Sequence, residues 1–249
     1  MNRPARILIS LLVMLSALFT LQACDLIQNS VRGSGDVTRV EIPFSGINGV
    51  SLTTQGELVI EIGAEEKLII EAQENLQPYI EANLANGKLT IETREGYNLN
   101  PTKPIRYLLT VKSIEFLTVT SSGSIDAPAL EVDQFQVKIT SSGDINLESL
   151  IAETLDVSLT SSGDLEIAAG QVETQEVHIS SSGNYTAGDL RSQEAEVDIT
   201  SSGDVTVWVT DRLEVNISSS GDVSYYGSPE VKTEITSSGR VNSLGDKEQ

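Results

Sequence analysis

Apolar and polar residues alternate along most of the chain, and the alternation is centred on a recurring Ser-Ser-Gly tripeptide. The tripeptide occurs seven times, with spacings of 20, 20, 20, 20, 18 and 18 residues between its glycines. Those glycines are Gly123, Gly143, Gly163, Gly183, Gly203, Gly221 and Gly239. A fixed period of this length is the sequence signature of a repeat architecture.

The residues flanking each glycine show the period of a β-strand. An Ile, Leu or Val lies four residues before the glycine of every tripeptide, as at Val119 and Ile139. An apolar residue lies two positions after that glycine, as at Ile125 and Ile145. The residues between these positions are mostly polar, and alternation with a period of two predicts strands with one buried face. Each repeat is therefore predicted to contain a strand, a corner, a second strand and a less regular return path.

Identical corners at a constant spacing indicate that every repeat turns the same way. A meander or a sandwich would place successive turns at alternating ends, and a propeller blade needs about 40 residues. We therefore predict an all-β fold, a right-handed single-stranded parallel β-helix (β-solenoid) with coils of 18–20 residues and a rise of about 4.8 Å per coil. Open solenoid ends expose strand edges and favour self-association unless they are capped.

The N-terminal half is rich in predicted strands but lacks the clean repeat. Strands are predicted at 37–42, 50–52, 58–62, 67–71, 88–92 and 105–111, with a turn or helical turn at 75–80 and a loop at 96–104. Residues 50–58 resemble a degenerate copy of the coil. We predict one solenoid domain over 36–245, irregular over 36–118 and regular over 119–245, followed by a polar tail at 246–249.

The first 24 residues have the composition of a targeting segment. Arg3 and Arg6 precede a 15-residue apolar stretch, Ile7 to Leu21, which is short for a membrane span and typical of a signal peptide. The stretch ends in Leu-Gln-Ala-Cys, which resembles a bacterial lipobox. We predict a signal peptide over 1–23 and a lipidated Cys24 followed by a flexible tether to residue 35; the alternative is an ordinary signal peptide with an incidental cysteine.

Composition excludes several classes of function. The formal net charge is −20, from 36 acidic and 16 basic residues, and removal of residues 1–23 makes it −22. An acidic surface repels phosphate, so nucleic acid is not an expected partner. One cysteine and one histidine do not supply a disulfide, a thiolate zinc site or a set of catalytic triads, and we expect no metal, no catalytic residue and no cofactor. Aromatic residues form 4% of the chain, which predicts an aliphatic core.

The corner residues are predicted to be structural. Glycine suits a tight corner because it adopts backbone angles that other residues avoid. The first serine of each triplet shares the parity of the buried columns, so its hydroxyl is predicted to point inward and bond along the stack. These serines are Ser121, Ser141, Ser161, Ser181, Ser201, Ser219 and Ser237.

Three further features have a functional and a structural interpretation. The residue after the corner glycine is mostly Asp or Asn, which could hold Ca²⁺ or be ordinary turn residues screened by water. His178 lies at an outward strand position and is expected to face solvent. Trp208, Tyr225 and Tyr226 could stack on a sugar ring or pack against a C-terminal cap.

Several motifs together resemble one known family. They are Gly33-Ser-Gly-Asp-Val37, Phe44-Ser-Gly-Ile47, the segment 75–80, Gly87-Lys-Leu-Thr-Ile91 and the Ser-Ser-Gly repeats. The chain resembles the head GIN domain family over about residues 33–245. These are bacterial envelope proteins, often lipoproteins, classed as auto-transporter adhesins. The resemblance implies a right-handed single-stranded β-helix and carries over no catalytic residue.

The expected function is a non-enzymatic, lipid-anchored envelope protein with an adhesin-like, surface-binding solenoid. The partner is expected to be a membrane, through the N-terminal lipid, with a glycan or an envelope protein left open as the ligand. One alternative is an envelope-stress or signalling accessory that binds a membrane partner. A less favoured alternative is a polysaccharide-active β-helix enzyme, which needs carboxylates clustered at one point rather than spread over the coils.

Overall fold

The computed structural model describes residues 29–247 as an almost entirely β structure. In this part of the chain, the only helical element is a 3₁₀ turn at Gln77–Tyr79, which lies within the segment predicted to be a turn. The predicted signal peptide and Cys24 lie outside the described residues. No helix within the described range has the length and apolarity needed to cross a membrane.

Nine strands precede the regular coils. They are β1 (Asn29–Arg32), β2 (Val37–Pro43), β3 (Gly49–Leu52), β4 (Glu57–Ile62), β5 (Lys67–Gln73), β6 (Ile80–Ala85), β7 (Lys88–Thr93), β8 (Tyr97–Asn100) and β9 (Arg106–Val111). All six strands predicted in this part are present, within one or two residues of their predicted bounds. Two further strands differ from the prediction: β1 lies within the predicted flexible tether and β8 within the predicted loop, and they are ordered because they pair with each other in parallel.

The regular part contains the strands of the stacked coils. They are β10 (Phe116–Val119), β11 (Ser124–Ala127), β12 (Leu130–Glu131), β13 (Gln134–Ile139), β14 (Ile145–Leu147), β15 (Leu150–Leu159), β16 (Leu165–Ile167), β17 (Gly170–Ile179), β18 (Tyr185–Ile199), β19 (Val205–Ile217), β20 (Asp222–Tyr226), β21 (Glu230–Ile235) and β22 (Arg240–Ser243). The longer strands bend around an edge of the solenoid and belong to two or three of its sides.

The parallel β-solenoid predicted from the repeat is confirmed. Each coil has a first side before the corner, a second side after it and a third, returning side. On the first side, Val137 pairs with Val157 and Val157 with Val177; on the second side, Ile145 pairs with Leu165. Equivalent residues of successive coils therefore lie directly above one another, all in parallel register.

The degenerate N-terminal copy belongs to the same stack. Strand β3 pairs in parallel with β10, so that Val50 lies beneath Leu117, and β4 pairs in parallel with β11, so that Leu58 lies beneath Ile125. One further layer continues the parallel pattern, because β7 pairs in parallel with β3 and β9 with β4. Beyond it the pattern changes: β6 runs antiparallel to β7, and β5 runs antiparallel to β9 and to β2. These antiparallel strands cover the N-terminal end, a feature that the repeat did not predict.

The core is a set of aliphatic ladders inside the coils. Val137, Val157, Val177, Val197 and Val215 form one such column and are completely buried. Burying each side chain of this size contributes roughly 1.5–3 kcal/mol. A single coil has no second layer against which to bury its face, so the stability of each coil depends on its neighbours.

Candidate binding surface

The corner glycines are required by the stacking of backbones and not by their own backbone angles. None of the seven Ser-Ser-Gly glycines is among the described residues with positive φ, which differs from the reason predicted for them. A Cβ built on Gly143 would lie within 3.0 Å of the carbonyl oxygen of Gly123, and one on Gly163 would meet Gly143 in the same way. The glycine column therefore allows the coils to approach at the corner.

The corner serines lie at the edge of the core. The first serine of each triplet is half-buried from Ser121 to Ser219 and exposed at Ser237, in the last coil. The hydroxyl of Ser141 donates a hydrogen bond to the carbonyl oxygen of Ser121. The backbone N–H of Gly183 donates to the carbonyl of Ser161 at 3.0 Å, which links the corners of successive coils.

The residues after the corner glycines form a ladder through their side chains. A side-chain oxygen of Asp144 accepts a hydrogen bond from the backbone N–H of Asp164 at 3.0 Å, and Asp164 accepts one from Asn184 at 2.8 Å. The same bond continues from Asn184 to Asp204 and from Asp204 to Asp222, both at 3.1 Å. Each side chain thus satisfies a backbone donor of the next coil, and an acceptor of this kind suits either Asp or Asn.

The carboxylates of the ladder act as hydrogen-bond acceptors for the backbone. Residues 29–247 contain no group of three or more His, Cys, Asp or Glu side chains arranged to hold a metal ion. The ladder carboxylates already accept hydrogen bonds from backbone N–H groups, so the structural interpretation of these residues accounts for their geometry.

His178 is exposed on the first side of the solenoid and is bonded to two carboxylates. Its Nε2 lies 2.8 Å from Glu176 and its Nδ1 lies 3.2 Å from Asp198. Parallel register also places Ser158 beside His178 on the neighbouring coil, so serine, histidine and aspartate occupy one column. A triad base must direct Nε2 to the serine hydroxyl; here Nε2 faces Glu176, so the column does not have the geometry of a nucleophilic site.

A groove of about 1030 Å³ runs along the solenoid axis, where the third side turns into the first. Its floor is formed by Phe135, Leu155, Gln175 and Ala195, which lie above one another in successive coils and are almost fully buried. We call this surface the axial groove.

Carboxylates dominate the walls of the axial groove. Asp156, Glu176, Glu196 and Glu214 are stacked in register along one wall. The complete set of acidic residues lining it is Glu115, Asp133, Asp156, Glu176, Glu194, Glu196 and Glu214, against a single basic residue, Arg212. Parallel strands lie about 4.8 Å apart, so the stacked acids form a dense row of negative charge.

The upper end of the acidic row is neutralised by two cations. Glu214 accepts hydrogen bonds from Lys232 at 2.5 Å and from Arg212 at 2.7 Å. These two bonds lower the pKa of Glu214, with the bond from Lys232 the larger cause. The other three acids of the row, Asp156, Glu176 and Glu196, form no ion pair with a Lys or Arg among the described residues, so the row stays negative below Glu214.

A chain of buried polar groups begins at Gln175 in the groove floor and continues into the interior. The hydroxyl of Tyr185 donates to Oε1 of Gln175 at 3.0 Å, and Nε2 of Gln175 donates to Ser192 at 2.8 Å. The Ser192 hydroxyl donates in turn to the carbonyl of Trp208 at 3.0 Å. Burial raises the pKa of Tyr185 far above its ordinary value, so the hydroxyl stays protonated and acts as the donor.

This polar chain lies where the coil length changes from 20 to 18 residues. The pairing of β18 with β19 skips between Ala187 and Arg191 and shifts again between Ser192 and Glu194. Polar side chains that bond to the displaced backbone compensate for the ladder bonds lost at the irregularity.

The aromatic residues of the last coils are covered by the C-terminal segment. The ammonium group of Lys247 lies 4.3 Å from the ring centre of Tyr226 and 5.7 Å from that of Trp208. It also bonds to Asp189 and to the carbonyl of Gly188. Of the two interpretations of Trp208 and Tyr226, this geometry favours packing against a C-terminal cap over an open sugar-binding face.

The groove could have been found from the repeat columns. Asp156, Glu176, Glu196 and Glu214 each lie seven residues before a corner glycine, and this column is acidic in four successive coils. We assigned a possible ligand-binding role only to the column after the glycine and did not predict this acidic column. The packing of Lys247 against Trp208 and Tyr226 has no comparable pattern in the sequence, because it depends on the path of the chain after the final coil.

The fold and the repeated corner define a parallel β-solenoid, and a family comparison gives the particular family. The model described as "Putative auto-transporter adhesin, head GIN domain" matches residues 46–229. The chain therefore belongs to the head GIN domain family, as its motifs predicted. No curated protein matches.

Solved structures share the fold. A protein from Bacteroides fragilis described as a putative adhesin superposes with a TM-score of 0.81 at 18% identity, covering 86% of this chain and 100% of its own. A putative adhesin from Parabacteroides merdae gives 0.69 at 19% identity, covering 87% and 99%. A protein from Parabacteroides distasonis described as a putative lipid binding protein gives 0.70 at 25% identity, covering 87% and 100%. An adhesin-like family is consistent with a surface or extracellular protein.

Proposed function

We propose that this chain is a non-enzymatic, lipid-anchored, adhesin-like protein of the bacterial envelope, and that the axial groove is its contact surface. The observation that carries the proposal is the acidic row of Asp156, Glu176 and Glu196 along a concave surface with a buried floor. Family membership supports an adhesin-like role.

The groove favours a cationic, elongated partner. Its length follows the solenoid axis, its walls carry seven carboxylates, and its floor includes the apolar residues Phe135 and Leu155. A row of one charge sign accelerates encounter with the opposite sign and rejects anionic polymers. We therefore expect binding that weakens as the salt concentration rises.

The arrangement of carboxylates favours binding over catalysis. A glycosidase uses two carboxyl groups at one point, with one acting as an acid and the other as a base or nucleophile. In the groove, Asp156, Glu176 and Glu196 instead repeat once per coil in equivalent surroundings. Such a row suits an extended ligand and does not single out one reacting bond.

The sequence motif that ends at Cys24 supports this residue as the site of the lipid anchor. Asn29 begins β1, which pairs with β8 at the N-terminal end of the solenoid. Five residue steps separate Cys24 from Asn29 and span at most about 18 Å. A lipid on Cys24 would hold the N-terminal end near the membrane and leave the later coils farther from it.

The proposal is tested by crosslinking in the cell of origin. A photoreactive amino acid replaces Thr174, which lines the groove, or Glu166, which is exposed on the second side as a matched control. We expect an adduct with another envelope component from position 174 and none from 166. The adduct should disappear when Asp156→Asn, Glu176→Gln and Glu196→Gln are combined. Equal adducts from both positions, or none from position 174, would contradict the groove as the contact surface.

A further inference from the structure

The last coil ends in an exposed strand edge. Strand β21 pairs with β19 on one side, and no strand within the described residues pairs with its other side. Val231 and Ile235 continue the core columns of Leu213 and Ile217, yet they are 37% and 39% exposed, whereas Leu213 and Ile217 are 0% and 1% exposed. The N-terminal end differs because antiparallel strands cover it.

Alternate residues of β21 direct their backbone N–H and C=O groups away from β19, toward the open edge. In the coil below, the carbonyl of Ile217 accepts a hydrogen bond from the N–H of Thr236 at 3.0 Å. Ile235 occupies the same position one coil later, so its carbonyl points to the open edge. Because alternate residues of a strand direct their backbone groups to the same neighbour, those of Val231 and Thr233 also point outward.

The side chains of β21 are self-complementary in one antiparallel register. If two copies of the strand pair about Thr233, then Val231 of each copy lies opposite Ile235 of the other, and Lys232 lies opposite Glu234. The outward-directed residues Val231, Thr233 and Ile235 become the hydrogen-bonded pairs. Lys232 and Glu234 become the non-hydrogen-bonded pair, in which opposite side chains approach most closely.

We propose that a second copy of this chain docks on the C-terminal end through antiparallel pairing of β21 with β21, about a two-fold axis at Thr233. The interface is isologous, so each edge satisfies the other and the assembly closes at two copies. It covers Val231 and Ile235 and continues the core from one solenoid into the next. This inference goes beyond the proposed function and does not depend on the groove or on the anchor.

Neighbouring registers are disfavoured by charge. A two-fold axis at Lys232 places two lysines opposite each other and Glu230 opposite Glu234, and an axis at Glu234 opposes two glutamates. An axis at Val231 pairs Glu230 with Lys232 but runs into Pro229, which has no N–H to donate. The register centred on Thr233 pairs residues 231–235 of one copy with 235–231 of the other and opposes unlike charges.

Charge reversal tests the register. The full-length chain in a neutral detergent at low salt is expected to sediment as a dimer at micromolar concentration. Glu234→Lys places two ammonium groups opposite each other and should give a monomer; adding Lys232→Glu reverses both charges and should restore the dimer. Glu166→Lys, an exposed change of the same kind on the second side, should leave the dimer intact, and an unchanged far-UV circular dichroism spectrum shows that each variant is folded.

Disulfide trapping tests the geometry. Thr233→Cys should form a covalent dimer on oxidation, because residues facing each other in a hydrogen-bonded antiparallel pair have Cα atoms about 5.5 Å apart. Val231→Cys alone should not, because the two copies of residue 231 lie roughly 13 Å apart along the strand. A monomeric wild-type chain overturns the proposal, as does a dimer that Glu234→Lys leaves unchanged or equal trapping at positions 231 and 233.

Discussion

The backbone of Gly163 lies so close to the carbonyl oxygen of Gly143 that a methyl group on Gly163 would come within 3.0 Å of that oxygen, a separation that Cβ atoms essentially never show. The same relationship links Gly183 to Gly163 and recurs at each following corner. The corner column is therefore a row of backbones in contact, and no side chain fits between them.

Gly163→Ala is expected to destabilise the protein by about 1–3 kcal/mol, because the coils must move apart at the corner. Since each coil is stabilised by its neighbours, the loss should extend to adjacent coils. Denaturant unfolding measures the loss, and hydrogen exchange maps its extent. Ser162→Ala, at the exposed position of the same triplet, is the control and should change stability by less than about 0.5 kcal/mol.

Asp164→Ala is expected to cost about 1 kcal/mol, because the N–H of Asn184 loses its acceptor. Asp164→Asn should retain most of the stability, since an amide oxygen can accept the same bond and the chain already uses Asn184 in the next coil. Thermal unfolding of both variants distinguishes a structural ladder from a charge-dependent site. If Asp164→Asn were as damaging as Asp164→Ala, the carboxylate charge itself would matter.

Much of this fold is predictable from the sequence because stacking repeats the same local environment in every coil. The strands on both sides of Gly143 and the burial of Ile139 and Ile145 follow from period-two alternation. The reason why each corner needs glycine could not be predicted from the sequence. A positive φ and a close backbone contact both disfavour a Cβ, so either cause would place glycine at the same position of every repeat. Only the spacing between coils distinguishes the two causes.

The irregular features were less predictable because they depend on contacts between distant segments. The antiparallel pairing of β2 and β5 joins residues about 30 positions apart with no repeat to mark their register. Lys247 reaches Asp189 across 58 positions. A strand pattern identifies such segments as β-structure but does not specify their partner or direction.

Tyr185→Phe is expected to destabilise the protein by about 1–3 kcal/mol, because the buried Oε1 of Gln175 loses its donor. The loss should be larger than for Tyr225→Phe, which removes the same atom from a half-buried side chain in a later coil. Urea unfolding at neutral pH measures both. Equal losses of stability in the two variants would show that the hydrogen bond from Tyr185 to Gln175 adds nothing to the effect of removing a tyrosine hydroxyl.

Acid is expected to weaken the contacts of Glu214. Its pKa is lowered by Lys232 and Arg212, so its folded-state value lies below the unfolded value near 4.5. Its contribution is therefore fully present above about pH 4.5 and is lost as the pH falls through the lower folded value. The difference in melting temperature between the wild type and Glu214→Gln should be largest at neutral pH and should shrink below pH 4.5. A difference that stays constant on acidification would contradict this linkage.

Cys24→Ala is expected to abolish lipid attachment and to leave an unprocessed precursor. Metabolic labelling with palmitate followed by electrophoresis measures both the label and the size of the chain. Ser30→Ala, a nearby change in β1, should retain label and processing. Continued labelling of Cys24→Ala would show that the lipid is attached elsewhere or that the cysteine is incidental.

The identity of successive corners has a consequence for how such proteins change in evolution. An in-frame duplication of one 20-residue repeat would insert a layer whose two surfaces match those already above and below it. The molecule would grow taller by about 4.8 Å, while both of its ends would remain as they were. The number of repeats can therefore set how far the distal end stands from the base, independently of what that end does.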